Sequence, residues 1–221
     1  MWKARLSELE FDERELAGVL EAIDSEWITA GPRTEAFEKA FARLTGMAEA
    51  VAVSNGTAAL FLALKAIGIG PGDEVLVPSM TFVATAAAVI HCGAEPVLVD
   101  ICSLDNPTMD PEDADSKITS RTKAILPVHY AGIPADMDRL CALAEARGLL
   151  LVEDAAHAPG ARFGDRACGS FGAAGCFSSG AGNSRCKRWT AGRWASGGSG
   201  ALRSLGNLAH GTARAKNGQA R

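Results

Sequence analysis

Short apolar runs alternate with helical patterns along most of this 221-residue chain, and this alternation constrains the fold more than any other feature. Apolar runs predict buried strands, and apolar spacing between them predicts helices. The predicted strands are 50–53, 74–77, 96–99, 123–128, 149–153 and a short last one at 175–178. The predicted helices are 11–25, 35–44, 58–67, 81–91 and 136–147. This order favours an α/β fold, a mostly parallel sheet with helices on both faces.

The composition changes sharply near residue 178. All 26 acidic residues lie within 1–165, whereas 166–221 carries nine basic residues and no acidic one. In 179–221, 28 of the 43 residues are Gly, Ala, Ser or Arg, and none is Val or Ile. A segment with so little apolar surface to bury does not offset its chain entropy. We therefore predict an N-terminal helical segment at 1–44, a large domain at 45–178 and a low-complexity tail at 179–221.

Several classes of protein are disfavoured by the sequence. No apolar run reaches the roughly 20 residues that a membrane-spanning helix needs, and the N-terminus lacks the apolar region of a signal peptide. The six cysteines form no CxxC pair, so neither a zinc site nor a disulfide framework is indicated. We predict a cytoplasmic protein with reduced thiols and no metal.

Polar sequences follow three of the predicted strands, where open α/β sheets bind ligands. Residues 54–58 form a small-residue turn into a helix, whose free N–H groups suit a phosphate. Asp154 follows a buried strand, and a carboxylate there can keep a heterocyclic nitrogen protonated. Phe82 can stack on a flat ring. Each has a structural alternative: a helix cap for the turn, a turn-capping carboxylate for Asp154, and core packing for Phe82.

Taken together, these sequences resemble the DegT/DnrJ/StrS family of pyridoxal-phosphate-dependent sugar aminotransferases. The resembling stretches are 27–32, 54–60, 70–75, 78–85, 127–132, 135–137, 153–160 and 169–172, in the family's order within about residues 5–178. The resemblance covers the N-terminal half of the family. It implies the aspartate-aminotransferase-like large domain (fold type I), with the C-terminal small domain missing. It also implies pyridoxal 5'-phosphate (PLP) as cofactor, glutamate and a keto-sugar nucleotide as substrates, and a homodimer in the intact family. We expect this chain itself to bind PLP weakly or not at all.

The resemblance gives individual residues a role. It implies that the cofactor phosphate is held by Gly56, Thr57, Ala58 and Ser178. It implies that Phe82 stacks on the pyridine ring and that Asp154 keeps the ring nitrogen protonated. It also implies that His157 lies near the ring hydroxyl. It further implies that the loop containing Trp27, Thr29 and Gly31 contributes to the sugar-nucleotide side of the pocket.

The sequence departs from the family where the catalytic lysine is expected. The family places this lysine, which binds the cofactor covalently and moves the proton, five residues after the phosphate serine. Position 183 is Asn183, whose amide does neither, and Lys187 is a poor substitute because its surroundings do not match the family. We predict a reading-frame change near codon 178 or 179, since a shifted frame in a GC-rich gene yields excess Gly, Ala, Arg and Ser. A natural basic tail that binds nucleic acid is the alternative.

Three functions remain to be compared. The first is an aminotransferase of the sugar-nucleotide type that is truncated and lacks its lysine. The second is a non-catalytic remnant or module that binds the cofactor. The third, a nucleotide-binding α/β domain, is disfavoured because the sequence has neither a GxGxxG motif nor a P-loop lysine.

Overall fold

Two helices precede the sheet in the structure, a computed structural model that describes residues 12–178 and the backbone of residues 192–196. Helix α1 (Glu13–Asp24) begins at a capping box, in which Asp12 accepts from the first-turn backbone. Helix α2 (Pro32–Thr45) begins at Pro32, whose fixed φ suits the first helical position, and ends at Gly46 in the left-handed region.

A seven-stranded sheet forms the centre of the fold. Its strands are β1 (Glu49–Val53), β2 (Glu74–Pro78), β3 (Glu95–Val99), β4 (Thr122–Ile125), β5 (Leu150–Asp154), β8 (Ala174–Phe177) and β9 (Gly192–Ser196). The two remaining strands, β6 (Arg162–Phe163) and β7 (Arg166–Ala167), form a separate hairpin between β5 and β8 in the chain. The order across the sheet is β1-β9-β8-β5-β4-β2-β3. The five strands from β8 to β3 are parallel, and β9 is antiparallel to both of its neighbours. The predicted mostly parallel sheet is confirmed.

Helices cover both faces of the sheet. Helices α3 (Gly56–Ala66) and α4 (Val83–His91) pack on one face, and α5 (Pro111–Ser116) and α6 (Met137–Arg147) pack on the other. Adjacent residues of β2 show the division, because Val75 belongs to the first core and Leu76 to the second. A strand that is buried on both faces has a continuous apolar sequence. This is why the sequence of β2 shows no alternation of apolar and polar residues.

Helix α2 joins the sheet through a smaller third core. Phe41 packs edge-to-face on Phe177 of β8, with ring centroids 4.9 Å apart, and Glu38 Oε1 accepts from Ala52 N–H of β1 at 2.7 Å. Helix α1 has no buried residue. Its apolar side chains, Leu16, Val19, Leu20 and Ile23, are each more than half exposed within the part of the chain that the structure describes.

Several elements differ from those predicted. Strand β4 ends at Ile125 rather than at residue 128, because Pro127 has no N–H group for the ladder. Helix α5 and the β6–β7 hairpin are too short to show a periodic pattern. Strand β9 lies within the segment predicted as a tail. Residues 1–11, 179–191 and 197–221 lie outside the described residues, so the three-region division stays a prediction.

Two general properties follow from the described side chains. No helix in this part of the chain has the length and apolarity to cross a bilayer. Across residues 12–178, no three His, Cys, Asp or Glu side chains cluster as a metal site would require, and the five cysteines there carry free thiols.

Candidate active site

A cleft of about 400 Å³ opens at the carboxyl ends of the strands. It is lined by six of the seven residues expected to contact a cofactor: Gly56, Thr57, Phe82, Asp154, His157 and Ser178. They reach it because each follows or ends a strand of the sheet, and the carboxyl ends of β1, β2, β5 and β8 lie on one edge. Residues up to 122 positions apart in sequence therefore share one site.

The start of helix α3 lines the cleft. Asn55 caps the helix, and its Oδ1 accepts from Ala58 N–H at 2.8 Å. Within residues 12–178, the N–H groups of Gly56 and Thr57 have no acceptor. Two free donors at a helix N-terminus, where the helix dipole is positive, suit an anion such as a phosphate. Ala58 donates to Asn55 instead, and it is absent from the cleft lining.

Gly56 and Ser178 approach each other more closely than any larger residue at position 56 would allow. A Cβ atom on Gly56 would lie 2.8 Å from Ser178 Cβ and 3.2 Å from its Oγ. The glycine therefore lets the end of β8 reach the start of α3, which places the Ser178 hydroxyl beside the two free N–H groups.

We expect Gly56→Ala to destabilise the fold by about 1–3 kcal/mol, because Ser178 and the end of β8 must move to admit the methyl group. The free energy of unfolding in urea measures this effect. Gly70→Ala is the matched control, since a Cβ there meets no atom within 4 Å, and it should be neutral or stabilising by up to about 1 kcal/mol. Equal stabilities of the two variants would contradict the close approach at Gly56.

Asp154 also lines the cleft and is almost fully buried. Its Oδ2 accepts from the Thr85 hydroxyl at 2.7 Å, and its Oδ1 accepts from Ala156 N–H at 3.1 Å. Burial raises the pKa of Asp154, although these two donors favour the charged form. A cationic N–H group arriving in the cleft would favour the carboxylate further. The site therefore suits a protonated ring nitrogen.

His157 is fixed beside the cleft by the segment after β4. Its Nδ1 accepts from Ala131 N–H at 3.3 Å, and Tyr130 packs edge-on against its ring at 5.8 Å. Because Nδ1 uses its lone pair in this bond, a neutral ring carries its proton on Nε2, which remains available as a donor. Ala131 has φ 52°, a left-handed conformation that is unfavourable for a residue with a Cβ. Local strain is thus retained where His157 is held.

Phe82 borders the cleft at the start of α4, and 68% of its surface is exposed. Within the residues that the structure describes, the Phe82 side chain is therefore not packed in the core. A large aromatic ring exposed beside a cleft is available to stack on a flat ligand.

A buried network next to Asp154 was not predicted from the sequence. Glu153 is fully buried, and its carboxylate accepts from the backbone N–H groups of Gly169 (2.6 Å), Phe171 (2.6 Å) and Gly172 (2.9 Å). These three residues precede β8, which leads to Ser178. Glu153 therefore ties the strand of Asp154 to the segment that leads into β8 and Ser178. An acidic residue inside an otherwise apolar strand was the only sequence signal.

His129 provides the fourth donor to Glu153. Its Nδ1 accepts from Ala135 N–H at 3.1 Å, so the proton lies on Nε2, which donates to Glu153 at 3.0 Å. The backbone of His129 also donates to Asp154 O at 3.1 Å. The network thus fixes the carboxyl end of β5 from both sides.

The residues expected on the sugar-nucleotide side do not line this cleft. Trp27 Nε1 donates to Ala30 O at 3.0 Å, and Gly31 packs against the indole ring of Trp27. The roles of Trp27, Thr29 and Gly31 stay predictions. Asn183 and Lys187 lie outside the described residues.

A parallel sheet that brings a free helix N-terminus and a buried carboxylate into one cleft is the arrangement expected of an aminotransferase cofactor domain. The model of the DegT/DnrJ/EryC1/StrS aminotransferase family matches residues 10–182. The chain belongs to this family.

Several solved structures are similar to the chain. S. venezuelae DesV, solved in complex with a ketimine intermediate, is 41% identical, covers 89% of this chain with 53% of its own, and gives a TM-score of 0.83. The structure of 3-amino-5-hydroxybenzoic acid synthase is 35% identical, its alignment covers 92% of this chain and 54% of the synthase, and the TM-score is 0.83. The PLP form of Spr1654 from Streptococcus pneumoniae, assigned as a sugar aminotransferase, is 30% identical. Its alignment covers 94% of this chain and 58% of Spr1654, with a TM-score of 0.85. The chain spans about half the length of these structures, and PLP is the cofactor of the family.

Proposed function

We propose that this chain provides the cofactor-binding domain of a PLP-dependent aminotransferase of the sugar-nucleotide type. One observation carries the proposal: a single cleft is lined by two free helix N–H groups, by Ser178 and by the buried Asp154. Phosphate and a protonated pyridine nitrogen are the two charged groups of PLP, and each meets a complementary partner in this cleft.

When bound, PLP supplies an electron-withdrawing ring that stabilises negative charge on a substrate carbon. The residues of the cleft contribute binding and orientation. The N–H groups of Gly56 and Thr57 and the Ser178 hydroxyl bind the phosphate. Asp154 holds the proton on the ring nitrogen, and the Nε2–H group of His157 donates to the ring hydroxyl. Phe82 covers one face of the ring.

The substrates and partners are inferred from the family. In the intact family we expect glutamate to donate an amino group to a keto-sugar nucleotide, for the synthesis of polysaccharides or of sugars in secondary metabolites. A homodimer and a cytoplasmic location are part of the same proposal.

A second candidate is a non-catalytic domain that binds the cofactor without covalent attachment. It is favoured by Asn183 at the position where the family has its lysine, and by the family match, which ends at residue 182. Both candidates share the cleft and differ only in whether a reaction occurs once the cofactor is bound.

We expect the chain to bind PLP only weakly, because the covalent anchor of the family is missing, and we expect Asp154→Ala to weaken that binding by about a further 10- to 100-fold, because a charge-assisted hydrogen bond is lost. Fluorescence titration with PLP measures the dissociation constant. Asp105→Ala removes an exposed carboxylate outside the cleft and should leave the constant unchanged. If the unmodified chain does not bind PLP, or if both variants bind it equally well, the proposal is wrong.

A further inference from the structure

We propose that Thr85, supported by Thr81, is a positioning residue that orients the Asp154 carboxylate toward the cleft and keeps it charged. The importance of this role for cofactor binding rests on the function proposed above. The hydrogen bonds themselves belong to the protein without its cofactor and can be tested there.

The direction of these hydrogen bonds follows from elementary chemistry. Thr85 Oγ1 lies 2.7 Å from Asp154 Oδ2 and 2.7 Å from Thr81 Oγ1. A carboxylate only accepts, so Thr85 donates its one hydroxyl proton to Asp154. The remaining contact then requires Thr81 to donate to Thr85. Two hydroxyl dipoles in series point toward the carboxylate, which strengthens the bond to Asp154.

Thr85 is fully buried, and its place in the fold links it to the rest of the site. It lies in the first turn of α4, where its backbone N–H donates to Phe82 O at 3.1 Å. The same helix start therefore carries the exposed aromatic ring and the hydroxyl that holds Asp154. Thr85 and Ala156 together supply one donor to each carboxylate oxygen, which fixes the plane of the carboxylate.

The other groups that act on Asp154 do not replace this donor. The charged or titratable neighbours that face it are His157 after β5, His129 after β4, Cys176 on β8 and the adjacent Glu153. Burial raises the pKa of Asp154, while the hydrogen bonds from the Thr85 hydroxyl and from Ala156 N–H act in the opposite direction. Without the Thr85 hydroxyl, Oδ2 would be a buried acceptor with no side-chain donor. The neutral carboxylic acid would then be favoured, and it cannot hold a proton on a ring nitrogen.

The test is the titration of Asp154 in the cofactor-free chain, followed by NMR of ¹³C-labelled aspartate carboxyl groups and assigned with Asp154→Asn. We expect Thr85→Val, which keeps the shape of the side chain, to raise the titration midpoint by about one to two pH units. Thr85→Ser restores the hydroxyl and should return the midpoint close to its original value. Thr81→Val should produce a smaller shift in the same direction.

The proposal would be overturned if Thr85→Val left the titration midpoint of Asp154 unchanged. It would also be overturned if Thr85→Ser shifted that midpoint as much as Thr85→Val, since the loss of the hydroxyl would then not be the cause of the shift. If Thr85→Val does not fold, Thr81→Val decides the matter, and an unshifted midpoint there overturns the relay. In the double variant, the losses of PLP affinity caused by Thr85→Val and by Asp154→Ala should not add up, because both changes act on the same carboxylate. Additive losses would contradict this common role. Failure of the proposed function would appear separately, as no PLP binding by the unmodified chain.

Discussion

The 221-residue chain is expected to form no amino sugar when it is incubated with PLP, glutamate and a 4-keto sugar nucleotide. The family resemblance predicts the catalytic lysine at position 183, where the chain has Asn183, and an amide neither binds the cofactor covalently nor acts as a base near neutral pH. Loss of a proton-transfer group alone costs about 10²–10⁴-fold in rate. Mass spectrometry of the sugar products measures the reaction.

The control for this prediction is Asn183→Lys, which we expect not to restore activity. The family match ends at residue 182, and the sequence around Lys187 does not follow the family pattern. Borohydride reduction in the presence of PLP, followed by peptide mapping, should find no cofactor attached at position 183 or 187 of the unmodified chain. Measurable amino-sugar formation by that chain would show that the catalytic lysine has been assigned to the wrong position.

Replacing Glu153 by alanine is expected to destabilise the fold by about 3–5 kcal/mol, because several buried donors lose their acceptor. The buried carboxylate accepts four hydrogen bonds, three from the backbone before β8 and one from His129. Its removal leaves the three backbone N–H groups without an acceptor in a buried site, and each unsatisfied donor carries a cost. Urea unfolding followed by circular dichroism gives the free energy of unfolding.

Two variants make this result specific. Glu153→Gln keeps the size of the side chain but places an NH₂ group among four donors, so we expect an intermediate loss. Glu145→Ala removes an exposed glutamate from α6 and should change the stability by less than about 0.5 kcal/mol. If Glu153→Ala were no more destabilising than Glu145→Ala, the network would not hold the two strands together.

The positions at the ends of strands could be predicted because the information is local. An apolar run marks each strand, and the carboxyl ends of parallel strands share one edge. For that reason Gly56, Phe82, Asp154 and Ser178 were expected in one pocket, and all four line it. The family resemblance then gave these positions their chemical roles.

The residues that support the site could not be predicted, because their partners are distant in sequence. Thr85 and Asp154 are 69 positions apart, and His129 and Glu153 are 24 apart. A threonine in the first turn of a helix carries no sign that its hydroxyl is buried against a carboxylate. Ala58 belongs to the predicted phosphate turn, yet its N–H group donates to the side chain of the cap residue Asn55 and is therefore not free for a phosphate. Strand β9 has no apolar alternation, since tertiary pairing with β1 and β8 defines it.

The most direct test of the proposed cofactor site is a crystal structure of this chain with PLP. We predict that the phosphate accepts from the N–H groups of Gly56 and Thr57 and from the Ser178 hydroxyl. We also predict a pyridine nitrogen about 3 Å from a carboxylate oxygen of Asp154. A phosphate bound away from the start of α3, or a ring nitrogen turned away from Asp154, would contradict the proposed site.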